Sequence, residues 1–224
     1  MRIALQLAVV LLASGPALAG EAAPPWSPFY GRLAVTDSLA AACAGIVNTF
    51  ECARAIERVQ LGQAHAPATR HGETLTIAAG GRKLVRLRDR DTDTAEVEAY
   101  RYMEYVPQLK QHLVLVQHYE SVSYLLIDAS TGTRTHIVGV PLLSPHARRF
   151  VCVQNDMFDH AIEVWRLTPQ GLRRESVRGP EAWLPIEASW LEEHVLQIRQ
   201  EEGEDPALRP RILHMRNGEW VVED

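Results

Sequence analysis

The sequence predicts a mainly β protein with one N-terminal helical segment, at about residues 38–60. From about residue 73, short runs of alternating apolar and polar residues are separated by glycine turns. Only residues 38–61 carry apolar side chains at helical spacings of three and four. Because 46% of the chain is hydrophobic and 23% is charged, a folded core is expected. We therefore predict three to four antiparallel sheet units, propeller-like or forming a curved meander; a β-sandwich plus helix is the alternative.

Residues 1–19 have the layout of a secretory signal peptide. Arg2 precedes an apolar run over residues 3–13, and the small-x-small site Ala17-Leu18-Ala19 follows Gly15-Pro16. The run is shorter than the roughly 20 residues that a membrane span requires. We expect cleavage near Ala19, a periplasmic or secreted mature protein, and no transmembrane segment after leader removal.

Residues 20–61 divide into an extended lead-in and a helical segment. The lead-in, residues 20–37, contains several prolines, which favour an extended chain. Asp37 or Ser38 can cap a helix that continues to Leu61. Asn48 with an acidic residue three positions later is a second capping pattern, so this segment, 38–61, is one helix or two short ones. A loop is predicted over residues 62–72.

The three cysteines permit at most one intrachain disulfide. In one continuous helix Cys43 and Cys52 would be about 13 Å apart along the axis, whereas a disulfide needs Cα atoms within about 7 Å. They can pair only if the helix breaks near Gly45, and the sequence leaves both outcomes open. Cys152 lies in an apolar strand pattern and is predicted to be a buried free thiol.

The β-rich region, residues 73–224, contains a loose internal repeat. Gly80-Gly81 predicts a first hairpin between strands 74–79 and 83–87, and further strands are predicted over 97–106, 112–119 and 122–128. Strand, glycine turn and strand then recur around Gly132, Gly171 and Gly218, roughly 40 residues apart, a spacing typical of propeller blades. We expect positive φ at these three glycines. The predicted units are 73–110, 111–147, 148–188 and 189–224.

One segment inside this region carries a resemblance to a known repeat. The apolar strand that ends at Val153 is preceded by a turn-like segment that contains Pro141, Ser144, Pro145 and Arg149. Over residues 140–153 this resembles the repeat of TolB-type (WD40-like) β-propellers, in which a Ser-Pro-Asp-Gly turn opens a blade. Here His146 and Ala147 stand where that repeat has Asp and Gly. The resemblance implies a propeller-like fold and no particular activity.

Charge and motifs exclude several classes of function. A net charge of −5 argues against a general nucleic-acid binder, and the basic pairs Arg148-Arg149 and Arg173-Arg174 are interpreted as solvated. The chain has no G-x-S-x-G, H-E-x-x-H or C-x-x-C motif. Asp89, Asp91 and Asp93 alternate as in a calcium loop, but Thr94 replaces the required glycine, so a solvated acidic turn is favoured. We predict no catalytic residue, no cofactor and no metal ligand.

The candidate binding residues are aromatic or lie in a polar loop. Two tyrosines share one face of the predicted strand 97–106, and tyrosine is a residue type that anchors interfaces, although core packing is the alternative. A polar loop joins two strands near residue 157, and binding residues concentrate on such loops. The candidates are Tyr100, Tyr102, Asn155, Asp156, Asp159 and His160.

These observations predict an exported, non-enzymatic binding or protein-interaction module with an envelope protein as its partner. The leader, the repeated strand units and the missing catalytic motifs support this prediction. Two alternatives stay open: an envelope hydrolase whose site is assembled from loops, and an inhibitor or immunity-like protein.

Overall fold

A computed structural model describes residues 36–90, 96–119, 121–155, 160–178, 184–200 and 210–223. The predicted signal peptide (1–19) and nearly all of the predicted lead-in (20–37) lie outside these residues. The elements are α1 (Asp37–Ala42), α2 (Thr49–Leu61), β1 (Ala68–His71), β2 (Thr74–Ala79), β3 (Lys83–Arg88), β4 (Ala99–Val106), β5 (Gln111–Gln117), β6 (Val122–Asp128), β7 (Arg134–Ile137), β8 (Leu142–Leu143), β9 (Arg149–Asn155), β10 (His160–Thr168), β11 (Gly171–Arg178), β12 (Pro185–Glu192), β13 (Val195–Gln200), β14 (Arg211–Arg216) and β15 (Glu219–Glu223).

The protein is mainly β, as predicted, and its strands form four antiparallel groups. These groups are β1–β3, β4–β7, β8–β11 and β12–β15. A parallel pairing of β11 with β15 joins the last two groups into one eight-stranded sheet. The described strands form no closed barrel, so the arrangement is an open run of sheets.

The groups do not begin and end where the predicted units do. They span residues 68–88, 99–137, 142–178 and 185–223, whereas the predicted units met at residues 110, 147 and 188. The turns after β4 and β8 use Lys110 (φ 55°) and Ala147 (φ 50°) in the left-handed region. Neither turn contains a glycine, so no residue that favours positive φ marks these two turns in the sequence.

The four groups pack face to face in chain order. Residues of β5 alternate between two cores: Val114 and Val116 pack against β1–β3, while Leu113 and Leu115 face the helices and β9. In the third group Phe150 and Cys152 join the helix-facing core, and Val151 packs against the last group. The last core is lined by side chains from both halves of the eight-stranded sheet, namely Val151, Val164, Leu196, Ile198, Leu213 and Trp220.

The helical segment consists of two helices, α1 and α2. The sequence had left open whether it forms one helix or two. The Asn48 side chain caps α2, where its Oδ1 accepts hydrogen bonds from the backbone N–H of Phe50 (2.9 Å) and of Glu51 (3.1 Å). Thr36, and not Asp37 or Ser38, caps α1.

The break between α1 and α2 decides the pairing of the cysteines. It brings the Cα atoms of Cys43 and Cys52 to 4.9 Å, and the two form a disulfide. Cys152 is a buried free thiol, as predicted. The disulfide therefore fixes the short helix α1, with its fully buried Leu39, against α2.

A short strand, β1, lies within the predicted loop over residues 62–72. Its Arg70 belongs to a buried ionic cluster. Strand β1 pairs with β2, and Arg70 of β1 contacts both Glu57 of α2 (Nη2–Oε1 2.9 Å) and Asp89 after β3 (Nη1–Oδ2 3.1 Å). Arg101 of β4 also contacts Asp89 (Nη1–Oδ2 2.8 Å). A four-residue strand has little apolar pattern of its own, so the sequence did not reveal it; its ion pairs connect α2 to the first two sheets.

The three repeat glycines give the first prediction. Gly132, Gly171 and Gly218 have φ of 69°, 116° and 86°, as predicted. Replacing each with valine should destabilise the protein by about 1 kcal/mol or more, because a β-branched residue is strained in this region. At Gly132 a Cβ would also lie 2.9 Å from Val85 Cγ2, whereas no atom lies within 4 Å at Gly171 or Gly218. In urea unfolding, Gly132→Val should therefore have the lowest free energy of unfolding of the three variants. Equal stability of all three variants would contradict this ranking.

The disulfide gives the second prediction. Closing a short loop between Cys43 and Cys52, nine residues apart, should contribute about 2–3 kcal/mol to the free energy of unfolding. We expect dithiothreitol to lower the urea midpoint of the wild type and to leave a Cys43→Ala/Cys52→Ala variant unchanged. If reductant shifts both proteins equally, the bond does not provide this stability.

Candidate functional site: an arginine-lined cleft

The two tyrosines chosen from the sequence belong to the sheet interior rather than to a free surface. Tyr102 is fully buried, and its hydroxyl lies 3.1 Å from His112 Nδ1. Tyr100 is half-buried; burial and a hydrogen bond with Glu98 raise the pKa of Tyr100 to about 12. Tyr102 therefore offers no surface to a partner, and the core-packing alternative describes it.

The polar-loop candidates lie elsewhere. Asn155 and His160 are opposite each other where β9 and β10 meet the loop, while Asp156 and Asp159 lie outside the described residues. His160 Nδ1 is buried and has no hydrogen-bond partner in the described part of the chain. Because the tyrosines are in β4 and this pair is in the third group, the predicted candidates do not form one site.

Asp89, the first residue of the acidic run, belongs to an ion-pair cluster. The Asp89 carboxylate contacts Arg70 and Arg101 and accepts the backbone N–H of Tyr100 (2.9 Å). Asp91 and Asp93 lie outside the described residues. Over the described ranges, no group of three or more His, Cys, Asp and Glu side chains could hold a metal ion.

A row of three arginines crosses the third strand group. Arg149 of β9 is opposite Arg166 of β10, and Arg166 is opposite Arg173 of β11. Residues directly opposite on neighbouring antiparallel strands share a face, with strands about 4.8 Å apart. We call Arg149, Arg166 and Arg173 the arginine row. Since like charges directly opposite are destabilising, the row needs a source of negative charge.

The carboxylate of Glu175 supplies part of this charge. Arg149 donates to it with both Nε (2.9 Å to Oε2) and Nη2 (3.3 Å to Oε1), and Arg166 Nε lies 3.4 Å from Oε1. Trp220 Nε1 donates to Oε2 over 2.9 Å. The Arg149 and Glu175 side chains are only 10% and 7% exposed. Two arginines and one indole thus share a single buried carboxylate.

The turn that opens β9 holds Arg149 in place. Ser144 Oγ accepts the backbone N–H of Arg149 (3.0 Å) and donates to Glu193 Oε1 (3.0 Å), which also lies 3.8 Å from Arg149 Nη1. The resemblance of this segment to the TolB-type repeat stays a prediction. Ala147 takes the left-handed conformation (φ 50°) where that repeat has glycine, so the tight turn forms without one.

The arginine row lines a cleft of about 610 Å³ between β9–β11 and the β14–β15 turn. Four arginines and two glutamates border this cleft: Arg149, Arg166, Arg173, Arg174, Glu175 and Glu219. The lining therefore has two more positive than negative groups, although the whole chain carries −5. Arg166 and Arg173 also border an adjoining cavity of about 560 Å³ at the β10–β11 turn.

The uncompensated charge belongs to Arg166 and Arg173. Arg174 lies on the opposite face of β11 and pairs with Glu163 (Nη1–Oε1 3.0 Å). Arg166 is 41% exposed and shares Glu175 with Arg149. Arg173 is exposed and has neither an ion pair nor a side-chain hydrogen bond with any described residue. These two guanidinium groups are the ones available to an anion.

The arginines that line the cleft can hold an anion but do not transfer protons near neutral pH. Arginine stays charged and only donates hydrogen bonds, and its planar fork matches the oxygens of carboxylates and phosphates. Burial raises the pKa of the Cys152 thiol well above its usual value, so this residue is unsuited to be a nucleophile.

Of the two basic pairs predicted to be solvated, Arg148, Arg173 and Arg174 are exposed as predicted and Arg149 is buried, but the row itself was not predicted. One signal was available: Arg166 and Arg173 are symmetric about the β10–β11 turn that Gly171 marks, so a tight hairpin places them opposite each other. No comparable signal identified Arg149, because its register with β10 depends on a longer connection.

No protein-family model, curated protein or solved structure matches the chain. Among the described helices, none is both long and apolar enough to cross a membrane.

Outside the cleft, one buried carboxyl makes stability depend on pH. Glu104 of β4 is 8% exposed, and its side chain forms no ion pair or hydrogen bond with the residues that the structure describes. Burial raises the pKa of Glu104 to about 7. The folded state therefore binds a proton that the unfolded chain, with an ordinary glutamate pKa, releases at lower pH.

The third prediction follows from this pKa. Stability should fall as pH rises from about 4.5 to about 7, on the order of 1.4 kcal/mol per pH unit, because folding then requires a buried charge. Glu104→Gln should remove this loss and unfold at higher urea than the wild type at pH 8. Glu187→Gln, at an exposed position of β12, serves as the control. Parallel pH curves for Glu104→Gln and the wild type would contradict the assignment.

Proposed function

We propose that this protein is an exported, non-enzymatic binding module that captures an anionic group of an envelope partner in the arginine-lined cleft. One observation carries the proposal: three arginines lie in one strand register, and two of them, Arg166 and Arg173, have more charge than Glu175 neutralises. An oxyanion between these two would replace repulsion with charge-assisted hydrogen bonds.

The contacts of the row support a binding role. Arg149 is buried and fixed by Glu175 and Glu193, so it supplies a positive field with little loss of side-chain freedom. Arg173 makes no ion pair with the described residues, so the fold does not depend on it for charge compensation. A fixed inner arginine and two outer ones form a site already arranged for an anion.

Two features support export. The predicted signal peptide at residues 1–19 directs the chain out of the cytoplasm. The Cys43–Cys52 disulfide is compatible with an oxidising compartment, where such bonds persist.

A capture experiment tests the proposal and is the fourth prediction. Tagged protein, residues 20–224, is used to capture partners from an envelope extract at low salt, beside an Arg166→Gln/Arg173→Gln variant. Arg86→Gln/Arg88→Gln removes the same charge from exposed positions of β3 and is the control. We expect a stoichiometric partner with the wild type and the control, and at least about tenfold less with the cleft variant, since it loses charge-assisted hydrogen bonds.

Two results would contradict the proposal. Equal capture by the cleft variant would show that the partner binds elsewhere. Turnover of an ester, phosphate or glycan substrate that is lost in the cleft variant would favour the hydrolase alternative. Thermal unfolding of each variant ensures that lost binding does not reflect lost folding.

A further inference from the structure

We infer that the group bound in the cleft is the dianionic phosphate of a phosphomonoester, held between the guanidinium groups of Arg166 and Arg173. This inference rests on the proposed function and specifies its ligand. Three features support it: the register of the two arginines, the charge of the cleft lining and the size of the cleft.

The register brings both forks to one anionic group. Arg166 and Arg173 are directly opposite on β10 and β11, so their Cβ atoms lie about 5 Å apart and share a face. A carboxylate has two oxygens, which one guanidinium fork can occupy. A phosphomonoester has three terminal oxygens, and these can accept hydrogen bonds from both forks at once. Two arginines side by side on one face therefore suit a phosphate better than a carboxylate.

The charge of the lining agrees with a dianion. Among the arginines at the cleft, Arg149 is paired with Glu175 and Arg174 with Glu163, which leaves the exposed guanidinium groups of Arg166 and Arg173. A phosphomonoester carries about −1.5 to −2 near neutral pH, which matches these two positive charges. Carboxylates and phosphodiesters, with a single negative charge, would leave one guanidinium uncompensated.

The inner end of the row makes the site selective. Glu175 is held by two hydrogen bonds from Arg149 and one from Trp220, so its carboxylate cannot turn away from the cleft. Its negative charge offsets part of the positive charge of the arginine row and repels anions that approach the buried end of the row, at Arg149. The phosphate is thereby restricted to the exposed pair, Arg166 and Arg173.

The size of the cleft implies that the phosphate belongs to a larger molecule. Its volume of about 610 Å³ lies within the range of small-molecule sites, roughly 300–1,000 Å³, and exceeds the needs of a lone phosphate. Two sources share this chemistry: a soluble phosphorylated metabolite and a phosphomonoester lipid headgroup.

Calorimetry with matched anions tests the inference and is the fifth prediction. Methyl phosphate, dimethyl phosphate and acetate are titrated into the protein at constant ionic strength. Methyl phosphate should bind at least about tenfold more tightly than the other two, because only it offers a dianion to both forks. Arg173→Gln should lower its affinity at least about tenfold, and Arg88→Gln should not change it. Equal affinities for the three anions, or no binding of methyl phosphate, would overturn the inference.

Flotation with vesicles distinguishes the two sources. Vesicles of phosphatidylcholine with phosphatidic acid present a phosphomonoester at a surface, whereas vesicles with phosphatidylglycerol present a diester of the same lipid class. If the protein floats with phosphatidic acid vesicles but not with phosphatidylglycerol vesicles, and Arg173→Gln abolishes this binding, the ligand is a lipid headgroup. Binding of methyl phosphate without recruitment identifies a soluble ligand. Both results support the phosphate site.

The two proposals can fail separately. A partner captured through the cleft while methyl phosphate does not bind would leave the binding function standing and remove the ligand class. Methyl phosphate bound through Arg173, with no partner captured from the extract, would keep the phosphate site and remove the protein partner.

Discussion

The second half of the structure depends on the carboxylate of Glu175. This group accepts hydrogen bonds from Arg149 of β9 and Trp220 of β15, and it lies beside Arg166 of β10. It thereby connects three strands of the third group to the last strand of the chain, next to the parallel pairing of β11 with β15. Without it, Arg149 would be a buried charge with Glu193 as its only described carboxylate, at 3.8 Å. Breaking such a buried pair costs about 3–5 kcal/mol.

A comparable network of ion pairs connects the elements of the first half of the structure, but its charges balance. Glu57, Arg70, Asp89 and Arg101 alternate in sign, and the carboxylates of Glu57 and Asp89 also accept the backbone N–H groups of Tyr102 and Tyr100. In this cluster two carboxylates match two guanidinium groups, so it is electrically balanced and serves the fold. In the arginine row, three guanidinium groups contact only two carboxylates, those of Glu175 and Glu193. The difference between the two networks, both built from arginine and acidic residues, is the argument for a ligand at the second.

The sequence predicted those parts of the fold that local pattern controls. Alternation identified most strands, and Gly132, Gly171 and Gly218 correctly identified left-handed turns. The Asn48 cap indicated the helix break that allows the disulfide. Turns with Lys110 or Ala147 in the same conformation carry no such sign, so strand grouping could not be predicted there. The cleft depends on register between strands, and local sequence determines that register at the two-residue turns of the β10–β11 and β14–β15 hairpins but not between β9 and β10.

The tyrosines show why residue type alone was a poor guide to the site. Tyrosine anchors interfaces because it combines an apolar ring with a polar tip, but the same properties suit a sheet interior when the hydroxyl finds a partner. The Tyr102 hydroxyl contacts His112, and the residue is fully buried, so it is not available at the surface. Arg173 is the opposite case, since it contributes no apolar burial and makes no ion pair among the described residues. A directly opposed like charge costs about 0.2–1 kcal/mol, small beside a typical stability of about 5–15 kcal/mol. The fold can therefore accommodate an arginine that only a bound anion would stabilise.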